Sequence, residues 1–220
     1  MLVGCNGADY FDIGHEYLGA RYVADPLGEN MAPDMDPLIR DDAFDCVTFV
    51  ETVLAHGNVN KLNKIRYKNG KIDFLCRNHF IESDWLINNS NLVENVSSKY
   101  GAVKVRHVAI DKQQWLYKVH GINAIFPIET VNLEYIPYDK LERINVSEPL
   151  IVLFIAGKSE KNDKIGTDLA VRHMGFLLPN GILRHASSQY GRVMDTDFYN
   201  YVSERAKDDN NIGITLVRIK

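Results

Sequence analysis

The sequence predicts an α+β domain, with helices early in the chain and antiparallel strands late. Two observations carry that expectation. After Asp45, residues Val47, Val50, Val53 and Leu54 recur at helical spacing until Gly57. From about residue 150 the pattern turns to strands: LIVLFIA is a continuous buried run, and VRHMGFLL and ILRHASS flank a Pro179-Asn180-Gly181 turn. With 220 residues, 45% of them hydrophobic and 25% charged, the chain can bury a core of its own, and one domain is the default.

In order, residues 14–25 suit a helix built around Tyr17, Leu18, Tyr22 and Val23, followed by a loop rich in Pro, Asp and Met up to Asp42. Asp45 is a good N-cap, which makes Cys46 the first helical residue. In KIRYKNGKIDF, Ile65 and Tyr67 alternate before Asn69-Gly70, and Ile72 and Phe74 alternate after it, which predicts a hairpin. CRNHFIESDWLINN reads as a short helix or ordered loop, and VKVRHVAI as a strand. Asp111 then caps a helix ending at Gly121. A polar, Lys-rich loop follows LIVLFIA, and a helix near 198–206 and a strand, GITLVRI, close the chain. Residues 1–13 form a tail, and 14–220 a single domain with an inserted segment at about 58–149.

The formal net charge is −4 and the cationic residues are spread out, which argues against nucleic acid as the partner. No stretch approaches the roughly 18 apolar residues of a membrane span. Cys5, Cys46 and Cys76 are too few for a disulfide framework. Leu-Val-Gly-Cys at the start is similar to the box at which bacterial lipoproteins are cleaved and lipidated, here on Cys5, although the basic and apolar parts of a signal peptide are missing.

The turn between the late strands can be tested on paper. A two-residue Asn-Gly turn would send His173 and His185 to opposite faces. A three-residue Pro179-Asn180-Gly181 loop makes partners sum to 360, sets Leu178 against Ile182 and His173 against Ser187, and leaves His185 a diagonal neighbour on the same face. Proline suits the first turn position and glycine the left-handed third, so both rings are expected on one face. A zinc site recruiting Cys46, or Cys76 and His79, lacks a second close ligand pair.

A cysteine nucleophile needs a base and a group to orient that base. Cys46, His173 and His185 supply them: the helix start is expected to lower the thiol pKa, His173 to take its proton, and His185 to fix the tautomer of His173. The Cys46 N–H and a side chain such as the Tyr22 hydroxyl would hold an oxyanion. Nothing in this set needs a cofactor.

FDCVTFVE, HMGFLLPNGILRHASS and YLGARYV together resemble the NlpC-type cell-wall cysteine hydrolases, papain-like enzymes whose nucleophile opens a helix packed on an antiparallel sheet. The residues after Cys46 and the long segment between Gly57 and Pro149 are similar to a branch of that superfamily acting as N-acetylmuramoyl-L-alanine amidases. That branch implies cleavage of the bond between the muramic lactyl group and L-alanine, with a preference for small anhydro-muropeptides. The wider superfamily implies a γ-D-glutamyl-diamino-acid endopeptidase, and a module that binds wall fragments without turnover is a third reading. Peptidoglycan fragments are the expected partners in each. The implied location is the cell envelope, on the periplasmic side, with any membrane attachment through a lipid on Cys5; a cytoplasmic location is also open.

Around the triad, Asp45 is an N-cap that could also meet a substrate amine. Arg77, His79 and Trp85 suit a pocket for sugar and peptide carboxylates, and Ser187 could line the site or continue its strand. Glu51 faces away by helical spacing and is expected to be solvated or paired.

Overall fold

Asp45 begins the helix on which the site depends. The computed structural model describes residues 14–220. Asp45 is extended, its Oδ1 accepts from the Thr48 N–H at 2.7 Å, and the Asp45 N–H donates to Thr48 Oγ1 at 3.0 Å. This reciprocal capping box uses threonine in place of the usual glutamate. Helix α1, Cys46–Ala55, ends at left-handed His56 and buries Phe49, Val50, Val53 and Leu54. Glu51 is buried as well: its Oε1 accepts from Trp85 Nε1 at 3.1 Å, and Oε2 pairs with Arg66 Nε at 3.4 Å. It is therefore paired and not solvated.

Among the described residues, ten strands form one sheet: β1 (Arg21–Tyr22), β2 (Ala43–Phe44), β3 (Val93–Asn95), β4 (Lys104–Ile110), β5 (Glu129–Pro137), β6 (Leu150–Ala156), β7 (Val171–Leu177), β8 (Ile182–Ser187), β9 (Arg192–Asp197) and β10 (Asn211–Ile219). The order is β2-β1-β9-β8-β7-β6-β10-β5-β4, with β3 also on β10. Every pairing is antiparallel except β1 with β2. β6 is buried throughout because both faces are covered. Ile151, Leu153 and Ile155 pack with α1, while Leu150, Val152 and Phe154 pack with Phe198 and Val202 of the helix Phe198–Arg205. Each such side chain contributes about 1.5–3 kcal/mol of burial.

The strands around LIVLFIA, VRHMGFLL, ILRHASS and GITLVRI and the last helix follow the sequence reading, and several other elements do not. Residues 14–25 are helical only at 14–16; Gly19 turns the chain at φ +88° and Tyr22 enters β1, opposite Phe44. In place of the 65–74 hairpin, Asn58 accepts from the Lys61 N–H and starts helix α2, Val59–Arg66, which buries Leu62, Ile65 and Arg66. Asn69 and Gly70, both at positive φ, turn the chain after that helix, and a single Tyr67–Arg77 bridge is all the strand pairing there. The segment at 58–149 supplies β3, β4 and β5, which extend the sheet. Strands β5 and β9, and the helix Glu160–Ile165 within the Lys-rich loop, were not foreseen. No helix among the described residues is long and apolar enough to cross a membrane. The expected tail and Cys5 lie outside the described residues.

Candidate active site

The β7–β8 turn has the three-residue form. Phe176 faces Arg184 and Leu177 faces Leu183, the Leu178 N–H donates to Ile182 O at 2.8 Å, and Gly181 takes φ +76°. His173 Nε2 lies 2.7 Å from His185 Nδ1, with the rings nearly perpendicular. Gly175 makes that approach possible, because a Cβ there would sit 2.7 Å from Arg184 O and 2.8 Å from His185 Cβ. A β-bulge precedes the pair: Phe154 faces His173 but Ile155 faces Val171, so Arg172 is the extra residue. Bulges re-aim side chains in this way.

Behind the histidines, the Tyr201 ring centroid is 5.9 Å from His173 and 5.0 Å from His185. The Arg205 guanidinium lies over Phe154 and Tyr201 and donates to Asn211 Oδ1 at 2.8 Å. Burial, then His185 and Arg205, hold His173 well below its ordinary pKa. Burial and Arg205 push His185 down to about 4, against the pull of Asp195. Both rings are neutral near pH 7.

Cys46 opens α1, and the N–H groups of Met174, Cys46 and Val47 favour its ionised form. Met174 adjoins His173. Burial, followed by the Asp45 carboxylate, outweighs those donors and pushes the thiol up to about 12. This corrects the expectation of a lowered thiol pKa: the half-exposed first turn of α1 is surrounded closely enough by protein that lost hydration wins. At rest the thiol and both imidazoles are uncharged. Tyr22 arrives beside this turn through the β1–β2 pairing, and its hydroxyl is pushed up to about 12 by burial, Cys46 and Asp45, so it remains a donor.

A cleft of about 330 Å³ opens beside Asp45, Val47 and Thr48. Phe74, His79, Trp115 and His120 line it and touch in a ring, with successive centroids 4.6–5.0 Å apart. His79 Nε2 donates to Phe74 O at 2.7 Å, and burial pushes its pKa to about 3. Both guanidiniums of the wall are engaged: Arg66 with Glu51, and Arg77 with Asp34 at 2.6 Å and Asp25 at 3.0 Å.

The structure thus gathers Asp45, Arg77 and His79 at one cleft beside Cys46. Trp85 is not there: it lies fully buried in the core with its Nε1–H on Glu51. Ser187 is also buried, and its hydroxyl accepts from the Tyr190 N–H at 3.3 Å at the end of β8. Trp115 and His120 were missed, although the lone tryptophan of the polar helix α3, Lys112–His120, was a signal. Among the described residues, no group of three or more His, Cys, Asp or Glu could hold a metal.

The model of the AmiA-like, N-acetylmuramoyl-L-alanine amidase-like family matches residues 12–212. The chain belongs to this family. Among solved structures, a Legionella pneumophila protein is 24% identical, with 97% of this chain and 88% of that chain covered and a TM-score of 0.88. An N-acetylmuramoyl-L-alanine amidase from Bacteroides uniformis is 24% identical over 97% of this chain and 98% of its own, at a TM-score of 0.76. A second structure of an amidase of that name from the same organism is 25% identical over the same shares, at 0.74. No curated protein matches the sequence. In this AmiA-like chain the shared fold is the mixed, mostly antiparallel sheet with its helices, and the family description supports, broadly, a hydrolase of peptidoglycan amide bonds.

Proposed function

We propose that the chain is a cysteine-dependent N-acetylmuramoyl-L-alanine amidase acting on muropeptides. The observation that carries this reading is the aromatic cleft beside the first turn of α1, in which both cations are already paired with carboxylates. His173 and His185 do not line it. The ring that protonates a leaving amine lies on the amine's side of the scissile bond, so the acyl part occupies the cleft. In an amidase that part is the lactyl sugar, an uncharged ring whose faces suit aromatic walls. In a γ-D-glutamyl endopeptidase it is L-alanyl-D-glutamate, whose free carboxylate wants a cation. Arg66 and Arg77 are already neutralised by carboxylates, and Asp45 commits Oδ1 to Thr48, which supports the sugar.

As the Cys46 sulfur attacks the lactyl carbonyl, its proton passes to the free Nδ1 of His173, whose Nε2 is held by His185. The Cys46 N–H at the helix start and the Tyr22 hydroxyl receive the oxyanion. Collapse breaks the C–N bond, and the His173 proton leaves with the L-alanine amine. Water, losing a proton to His173, then hydrolyses the thioester and restores the thiol. Because thiol and base both rest neutral, the proton must pass from sulfur to His173 in the course of the reaction.

Incubation with defined muropeptides, with anhydro and reducing sugars in parallel, tests this by product mass. A peptide beginning at L-alanine is expected. L-Alanyl-D-glutamate retained on the sugar would make the chain an endopeptidase, and intact substrate with folded protein would make it a binding module.

A further inference from the structure

We propose that the five-residue π-helix Ile81–Trp85 is a brace that locks the Cys46 helix to the His173 strand, with Glu82 and Trp85 as positioning residues. The inference rests on the reading of Cys46 and His173 as the reacting pair. All five residues are buried, although the segment IESDW contains two carboxylates and a serine. Its wide turn is closed by Trp85 N–H donating to Phe80 O at 3.0 Å. In an α-helix, residues 82 and 85 would share a face. The extra residue in the turn swings them apart, a use of π-geometry that recurs at functional sites.

One arm reaches β7. Glu82 Oε1 accepts from the Ala170 N–H at 2.5 Å and the Val171 N–H at 3.2 Å. These donors lie at the entry to the bulge at Arg172, where the ladder with β6 is out of step and the next residue is His173. Without the carboxylate, two buried N–H groups would face each other's surroundings unpaired, and the bulge could relax toward a regular strand that turns His173 differently. The other arm reaches α1, where Trp85 Nε1 donates to Glu51 Oε1, five residues beyond Cys46. Asp84 fastens the turn from its side, accepting from Lys112 Nζ at 2.7 Å and the Phe80 N–H at 3.3 Å.

The carboxylate is an expensive way to obtain these bonds. Burial raises the pKa of Glu82, and its second oxygen, Oε2, has no partner. A regular strand would have satisfied the same N–H groups without desolvating a charge. Local rules are broken in this manner where geometry is worth more than stability.

The test compares Glu82→Met, which fills the space without an acceptor, with Glu82→Gln, which keeps one oxygen for the two N–H groups. With muropeptide as substrate, Glu82→Met lowers kcat about tenfold or more while KM stays within about twofold, and Glu82→Gln restores most of kcat. A readout independent of turnover is the ¹⁵N spectrum of the histidines, in which Glu82→Met moves the signals of the bonded His173–His185 pair toward free imidazole. Should Glu82→Met not fold, Trp85→Phe keeps the packing, removes only the bond to Glu51, and is expected to lower kcat without changing KM. Wild-type kcat and unmoved histidine signals in the folded variant would overturn the brace. Failure of the wild type to cleave muropeptides would overturn the proposed function instead, and the histidine spectrum would still decide the brace.

Discussion

Gly175→Ala is the smallest change that separates the two histidines. The added Cβ would meet Arg184 O at 2.7 Å and His185 Cβ at 2.8 Å. Neither obstacle is the end of a flexible side chain, so the backbones themselves must move. Gly175 does not occupy the left-handed region, which leaves space as the sole objection. Reaching 3.4 Å, the inner edge of ordinary contact, parts β7 from β8 by about 0.7 Å. The 2.7 Å His173–His185 contact then stretches to about 3.4 Å, past a good hydrogen bond. Overpacking and the weakened bond together cost about 2–4 kcal/mol of stability. Loss of the base's orientation costs about 10–100-fold in kcat. Denaturant unfolding and muropeptide turnover by product mass measure both. Gly175→Ala with wild-type stability and wild-type kcat would refute the reasoning that this glycine sets the histidine geometry.

The remaining predictions concern the cleft and pH. Trp115→Ala removes one wall of the aromatic ring, so KM for a sugar-bearing substrate rises about tenfold, as steady-state kinetics would read, with a thermal melt to show that the variant, which also loses packing on Phe80, is folded at the assay temperature. His185 is held neutral, its folded pKa lying at about 4 against 6.5 unfolded, and His173 shifts the same way. Their contribution to stability is therefore complete above pH 6.5 and is lost as pH falls toward 4, where His185 alone accounts for about 3 kcal/mol. Unfolding free energies at pH 7.5 and 4.5 should fall more steeply in the wild type than in His185→Gln, and parallel slopes would count against buried neutral imidazoles.

The parts of the fold legible in the sequence were those fixed by local chemistry. Asp45 announced a helix because a capping side chain must precede one, and Pro179-Asn180-Gly181 set the register that aligns His173 with His185. What escaped was decided by distant partners. Ile65 and Tyr67 alternate like a strand, yet Ile65 also shares a helical face with Leu62 and Arg66, and the buried Glu51 rewards the helix by pairing with Arg66. Trp85 looked like a binding aromatic and went to the core because Glu51 needs its N–H. The cleft joins residues 74–79 to 115–120, a juxtaposition no local pattern records. The thiol pKa was misjudged because a helix start is visible in sequence and the depth of burial around it is not.

The central claim is that the Cys46 sulfur performs the attack. Turnover of a muropeptide by Cys46→Ala tests it most directly, with the variant's melting temperature as the check on folding. The account predicts that release of the L-alanine-initiated peptide falls to background while the melt matches the wild type; release of that peptide at the wild-type rate by folded Cys46→Ala would contradict it.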